Sequence, residues 1–152
     1  MKSVYIIIVA SFFSIKAYSQ KESPKIDSTI ESLRTYLLKN IKYPATELKA
    51  YTQGRMIICF KLNKNKMIDD IHFVRHLTSE CDSEVLKAIR SYSQALSLPS
   101  GEYTIGLQFF ILFDGKPDSK IMPFDKDLYK NFLFELNVTS ESPEQQKKSI
   151  IN

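Results

Sequence analysis

A chain of 152 residues with 43% hydrophobic and 25% charged side chains is sized for one domain and composed like an ordinary globular protein. Collagen-like and wholly disordered readings are excluded on that ground. Lys and Arg number 21 against 17 Asp and Glu, a formal charge of +4, a balance that taken whole points to an anionic partner such as nucleic acid. With only four Gly, a glycine-rich phosphate loop has little room.

The first segment accounts for part of that charge. Met1-Lys2-Ser3 is a short basic start, Val4 to Phe13 is a mostly apolar run, and Ala17 and Ser19 place small residues before a cut ahead of Gln20. This is the layout of a secretory signal peptide over residues 1–19. The run falls short of the roughly 20 residues a membrane-spanning helix needs. Cleavage removes Lys2 and Lys16 and no acid, leaving 19 basic against 17 acidic residues. The nucleic-acid reading then loses most of its support, and the expected location is exported, in the periplasm or associated with the outer membrane. Lys61, Lys64 and Lys66 cluster on an expected hairpin, where they read as a solvated turn.

Ile26, Ile30, Leu33, Leu37 and Ile41 recur at helical spacing, with Ser28 and Glu31 as a capping box and Pro44 stopping the helix at Lys42 or Tyr43. Ala45 to Gln53 is a connector. Gly54 opens a strand in which Met56, Ile58, Phe60 and Leu62 alternate with Arg55, Ile57, Cys59 and Lys61. The turn Asn63 to Lys66 leads into a second strand from Met67 to Leu77, with Asp69-Asp70 marking a candidate bulge. A second helix is capped by Asp82 or Ser83 and carries Val85, Leu86, Ile89 and Tyr92. After a turn around Pro99 and Gly101, a third strand alternates Ile105, Leu107, Phe109, Ile111 and Phe113 with Thr104, Gly106, Gln108, Phe110 and Leu112. The apolar off-face residues Phe110 and Leu112 imply that its far side is partly covered.

Beyond Asp114 the pattern degrades. Residues 114–152 read as an extension with a brief apolar patch at Phe132-Leu133-Phe134, and as disordered from Thr139. The order helix, strand, strand, helix, strand over residues 26–113 predicts an α+β fold. It would be a two-layer sandwich of a three-stranded antiparallel sheet with both helices on one face.

Residues from about Leu33 to Phe113 resemble the C-terminal domain of TonB, in the short form of Gram-negative envelope proteins. The resemblance rests on Asn40 to Ala45, on the strand Gly54 to Leu62 ten residues after Pro44, and on the Asn-Lys turn. It continues through Ile68 to Arg75, the helix start Asp82-Ser83-Glu84, and Pro99, Gly101 and the strand ending at Phe113. Ser93-Gln94-Ala95 replaces a Pro-Lys-Trp-like segment, Cys81 stands where Leu is usual and Glu47 where Ala is usual, and the hairpin lacks Asp-Gly. The membrane anchor and Pro-rich spacer of TonB do not precede the domain. The resemblance therefore implies a fold, an envelope location with a possible link to outer-membrane transport, and a protein-binding habit rather than energy transduction.

It also implies a site. In such domains the last strand lies at a sheet edge and pairs with an extended partner segment, a binding mode for which unpaired backbone groups suffice. Thr104, Gly106 and Gln108 are the expected edge residues, Gly106 permitting close approach; a tail folded back onto this edge is the competing arrangement. Tyr43 and Pro44 match the element near the partner contact, a helix stop with a packed ring being the alternative. The expected partner is an envelope or outer-membrane protein, and a homodimer through strand edges is a further arrangement. Cys59 and Cys81 are expected on opposite sheet faces as buried free thiols. His72 and His76, on one strand face, stand about 13 Å apart at ~3.3 Å per residue, too far for one metal. Asp69 and Asp70 point to opposite faces and form no acid–base pair. No nucleophile, Walker or zinc motif is present, so no catalysis, cofactor or metal is expected. The alternative function is an exported small-molecule or lipid binder with a pocket between the sheet and Phe132 to Leu136.

Overall fold

Asp27, rather than Ser28, caps the first helix: its carboxylate accepts from Thr29 N–H at 2.8 Å. The third helical position is then Ile30, so the expected Ser28–Glu31 capping box does not form, and Glu31 pairs with Arg34 instead. The computed structural model describes residues 27–117 and 124–146; the expected export signal lies outside them. Helix α1 runs Ser28–Asn40 and stops at the extended Ile41, earlier than expected, since Pro44 opens a separate short helix, α2 (Ala45–Lys49). Helix α3 (Ser79–Ser91) begins before its expected start because Thr78 accepts from Cys81 N–H. Asp82 instead binds outward, taking Leu77 N–H at 3.2 Å and lying 2.6 Å from His76 Nδ1.

The strands are β1 (Gly54–Leu62), β2 (Ile68–Arg75), β3 (Glu102–Phe113), β4 (Lys116–Pro117) and β5 (Phe132–Glu141). β1 pairs antiparallel with β2 on one side and β3 on the other. The expected three-stranded sheet is therefore too small. β5 pairs with β3 in parallel from Thr104↔Phe132 to Leu112↔Glu141, and β4 is a two-residue return on Leu112 and Phe113. Because Leu112 meets Pro117 and Glu141 on opposite sides, β4 shares the β1 side of β3. A single 3-10 turn, Lys126–Leu128, precedes β5. The fold is α+β, as expected, with its sheet enlarged by the segment expected to be an extension.

Alternation explains the layering. Met56, Ile58 and Phe60 of β1, and Ile105, Leu107 and Phe109 of β3, join Leu136 and Val138 of β5 in one core. That core is closed by Leu33 and Leu37 of α1 and by Val85 and Ile89 of α3. α1 lies toward β5 and α3 toward β2. The opposite sheet face is also covered, as Phe110 and Leu112 implied: Ile57 is fully buried and Arg55, Cys59, Gln108 and Phe110 are nearly so. The ring of Phe124 packs on Phe132 there, centroids 5.3 Å apart.

β2 departs from regular pairing twice. Ile58↔Phe73 follows Ile57↔Arg75, leaving Val74 unmatched, and Lys61↔Asp69 follows Cys59↔His72. Asp70 has φ 44°, so the expected bulge at Asp69-Asp70 is present, and a second one lies at Val74.

Candidate functional site: the two edges of the sheet

β3 was the expected edge, and the structure makes it an interior strand. Three backbone hydrogen bonds fix which groups turn which way. Leu62 N–H donates to Gly101 C=O at 3.0 Å on the β1 side, while Ser142 N–H donates to Leu112 C=O at 3.0 Å and Thr104 N–H to Asn131 C=O at 3.2 Å on the β5 side. Strand groups alternate, so the backbone of Thr104, Gly106 and Gln108 faces β5. The groups expected to meet a partner meet the chain's own fifth strand. A Cβ at Gly106 would lie 3.5 Å from Phe132 and from Glu135 side chains, so its approach partner is intramolecular.

β5 is not a loose cover. Leu136 is 1% exposed and Val138 is buried, and fully burying such side chains contributes about 1.5–3 kcal/mol each. Glu135 Oε1 lies 2.5 Å from Arg55 Nε, and the Arg55 guanidinium sits 4.5 Å from the Phe124 ring centroid, a cation–π contact. Thr104 Oγ1 donates to Lys130 C=O at 3.0 Å and Asn131 Nδ2 to Glu102 C=O at 2.8 Å, tying down the entry to β5.

Tyr43 and Pro44 lie on the helix-covered face, away from Thr104, Gly106 and Gln108. The Tyr43 ring meets Phe109 edge-on at 5.4 Å, and its hydroxyl donates to the Thr52 carbonyl. Burial raises its phenol above the ordinary value. Pro44 caps α2. The structure does not bring these five residues into one surface. Both cysteines are free and buried, and burial pushes the Cys81 thiol up, away from thiolate reactivity. His76 is held by Asp82, and His72 lies 4.0 Å from Glu102. Among the described residues no three His, Cys, Asp or Glu side chains are placed to hold a metal ion. Phe132 to Leu136 is part of the sheet as the start of β5, not a tail segment lying against it. A groove of about 700 Å³ lies between α1 and the segment after α3, around Tyr36 and Tyr92. No described helix is long and apolar enough to cross a membrane.

The sheet thus ends on β2 and on β5, and the two ends differ. β2 carries two bulges together with Asp69, Asp70, His72 and Arg75, and Lys61 binds the Asp70 carboxylate and holds it below its usual range. Bulges and charges are the devices that stop an edge strand from pairing with another chain. β5 has fewer of them on its outer side: FLFELNVTSE contains no Pro, Lys or Arg, and its charges are Glu135 and Glu141. Its one irregularity in pairing lies at its start, between Thr104 and Ile105. Among the described residues it pairs only with β3. The register turns the N–H and C=O groups of Glu135, Asn137, Thr139 and Glu141 outward. These residues went unnoticed in the sequence reading, although Phe134, Leu136 and Val138 alternate with them as a strand requires. No family model, curated protein or solved structure matches the chain. The class of protein is therefore defined by its architecture alone: an α+β domain whose sheet has one edge bulged twice and one edge without Pro, Lys or Arg.

Proposed function

We propose that this protein is a non-enzymatic binding module of the cell envelope that engages an extended segment of another protein at a sheet edge. The observation that carries the reading is the contrast between the bulged, charged β2 and the ten-residue β5, whose outer backbone groups have no strand partner among the described residues. The resemblance to the TonB C-terminal domain supports the binding mode, and the signal-like residues 1–19 support export to the periplasm or outer membrane. The engaged edge in this reading is β5, one strand farther out than Thr104, Gly106 and Gln108.

Photocrosslinking in cells tests it. A crosslinking residue at Asn137, on β5, is expected to capture an envelope protein that the same residue at Val74, on β2, does not. Capture from Val74 alone, or capture of cytoplasmic proteins only, would sink the reading.

A further inference from the structure

The β5 edge also carries information about its occupant. The side chains of Glu135, Asn137, Thr139 and Glu141 share the sheet face opposite the helices, beside Gly106, Gln108, Phe110 and Leu112. A strand added to β5 would set alternate side chains directly across from that row. The row holds two carboxylates and no cation. Their situations differ. Glu135 is ion-paired to Arg55 and its side chain is 28% exposed, so its charge is answered within the fold. Glu141 is exposed, no side chain among the described residues pairs with its carboxylate, and Glu144 lies exposed just beyond it. Lys116, the cation of β4, is on the β1 side of β3.

The other face of the edge has a different character. Tyr36 of α1 meets Tyr92 at the end of α3, centroids 5.1 Å apart, and Leu37 points into the core. At 100° per residue Leu38 then turns away from α3, toward the β5 side. It is 44% exposed, on the helix that contacts β5, where Leu133 and Phe134 are partly buried against the core.

Resting on the edge-binding reading above, we infer that the segment docking on β5 alternates polar and apolar residues, with a Lys or Arg across from Glu141 and apolar side chains turned to Leu38. Its polar row meets Asn137 and Thr139 with small or hydrogen-bonding side chains. The span from Glu135 to Glu141 is about 20 Å of strand, so a segment of seven or more extended residues covers it.

The test uses the full described fold in the intact chain with three synthetic ten-residue peptides alternating valine with lysine, with serine or with glutamate, followed by fluorescence anisotropy. The lysine peptide is expected to bind about fivefold more tightly than the serine peptide, the size of one or two partly exposed ion pairs, and the glutamate peptide more weakly than both. Glu141→Gln should erase most of the lysine preference, bringing the ratio of lysine-peptide to serine-peptide affinity toward one. Thr139→Pro, which removes an outward N–H, should weaken all three at least tenfold. Equal binding of lysine and serine peptides, both lost in Thr139→Pro, would overturn the charge inference and keep the edge reading. Binding indifferent to Thr139→Pro, or no binding by any peptide, would overturn both. A dimer of the free protein that Thr139→Pro dissolves would name a second copy as occupant and likewise overturn the inference.

Discussion

A proline moved by one residue along β5 distinguishes its inner from its outer side. The register with β3, fixed at its far end by Ser142 N–H on Leu112 C=O at 3.0 Å, turns the Val138 N–H toward β3 and the Thr139 N–H outward. Val138→Pro deletes a ladder donor and leaves a buried carbonyl of β3 unpaired, at about 1–3 kcal/mol. It also replaces the buried valine branch with a ring of the same carbon count but different shape, at about 1 kcal/mol, for a total of about 2–4 kcal/mol. Thr139→Pro removes a donor that the fold does not use. Edge strands tolerate proline at such positions, and the smaller entropy of the unfolded chain offsets the restraint on φ, so the net change stays within about 1 kcal/mol. With a urea slope of about 1–3 kcal/mol/M, the two midpoints should differ by roughly 1–2 M. The chain has no Trp, so circular dichroism is the suitable signal. Equal losses for the two variants, or a larger loss for Thr139→Pro, would refute the parallel register and with it the identity of the open edge.

Glu135→Leu removes one carboxylate partner from the nearly buried Arg55 (7% exposed) and should cost about 1–3 kcal/mol, less than breaking a fully buried pair because Glu135 is partly solvated. The double variant with Arg55→Met should recover most of that loss, and thermal unfolding of the four proteins gives the coupling. Gly106→Ala has room for its methyl, 3.5 Å from Phe132 and Glu135 side chains and 3.6 Å from Ile57. It should stabilise by about 0.4–1 kcal/mol in the same melts; a loss would mean that β3 and β5 lie closer than described. Burial raises the Tyr43 phenol in the folded chain, so above about pH 10 the unfolded state ionises first. Stability present below that pH is lost as pH rises toward the folded value. Tyr43→Phe should cost about 1 kcal/mol at neutral pH, through the lost bond to the Thr52 carbonyl, and should flatten the alkaline decline.

Strong periodicity was legible. Met56 to Leu62 and Ile105 to Phe113 alternate without interruption, and both became strands at nearly the expected bounds. Helix starts were less so, because Asp27 and Thr78 compete with neighbouring Ser and Asp residues of similar capping power, and only side-chain geometry decides among them. β5 was hidden for a different reason. Phe132-Leu133-Phe134 is a continuous apolar run that masks the alternation beginning at Phe134, and the pairing irregularity between Thr104 and Ile105 is where that extra residue is absorbed. Thr139 to Glu141 are polar and fell into a region read as disordered, although their role in the sheet is carried mostly by backbone bonds. A long-range parallel partner for β3 leaves no local mark in β3 itself.

The fifth strand changes more than the strand count. In a three-stranded sheet the available edge would present Thr104, Gly106 and Gln108, a neutral row suited to any extended chain. Adding β5 moves the edge outward by about 4.8 Å and replaces that row with Glu135, Asn137, Thr139 and Glu141. Part of the new row's charge is consumed in holding it there, through Glu135 and Arg55, and the remainder sits at Glu141. One strand thus both closes a permissive edge and offers a selective one. β2, bulged at Asp70 and Val74, shows that this chain suppresses edge pairing where pairing is unwanted. An edge paired regularly from Phe134 to Glu141, with no Pro, Lys or Arg, is therefore better explained by a partner than by neglect.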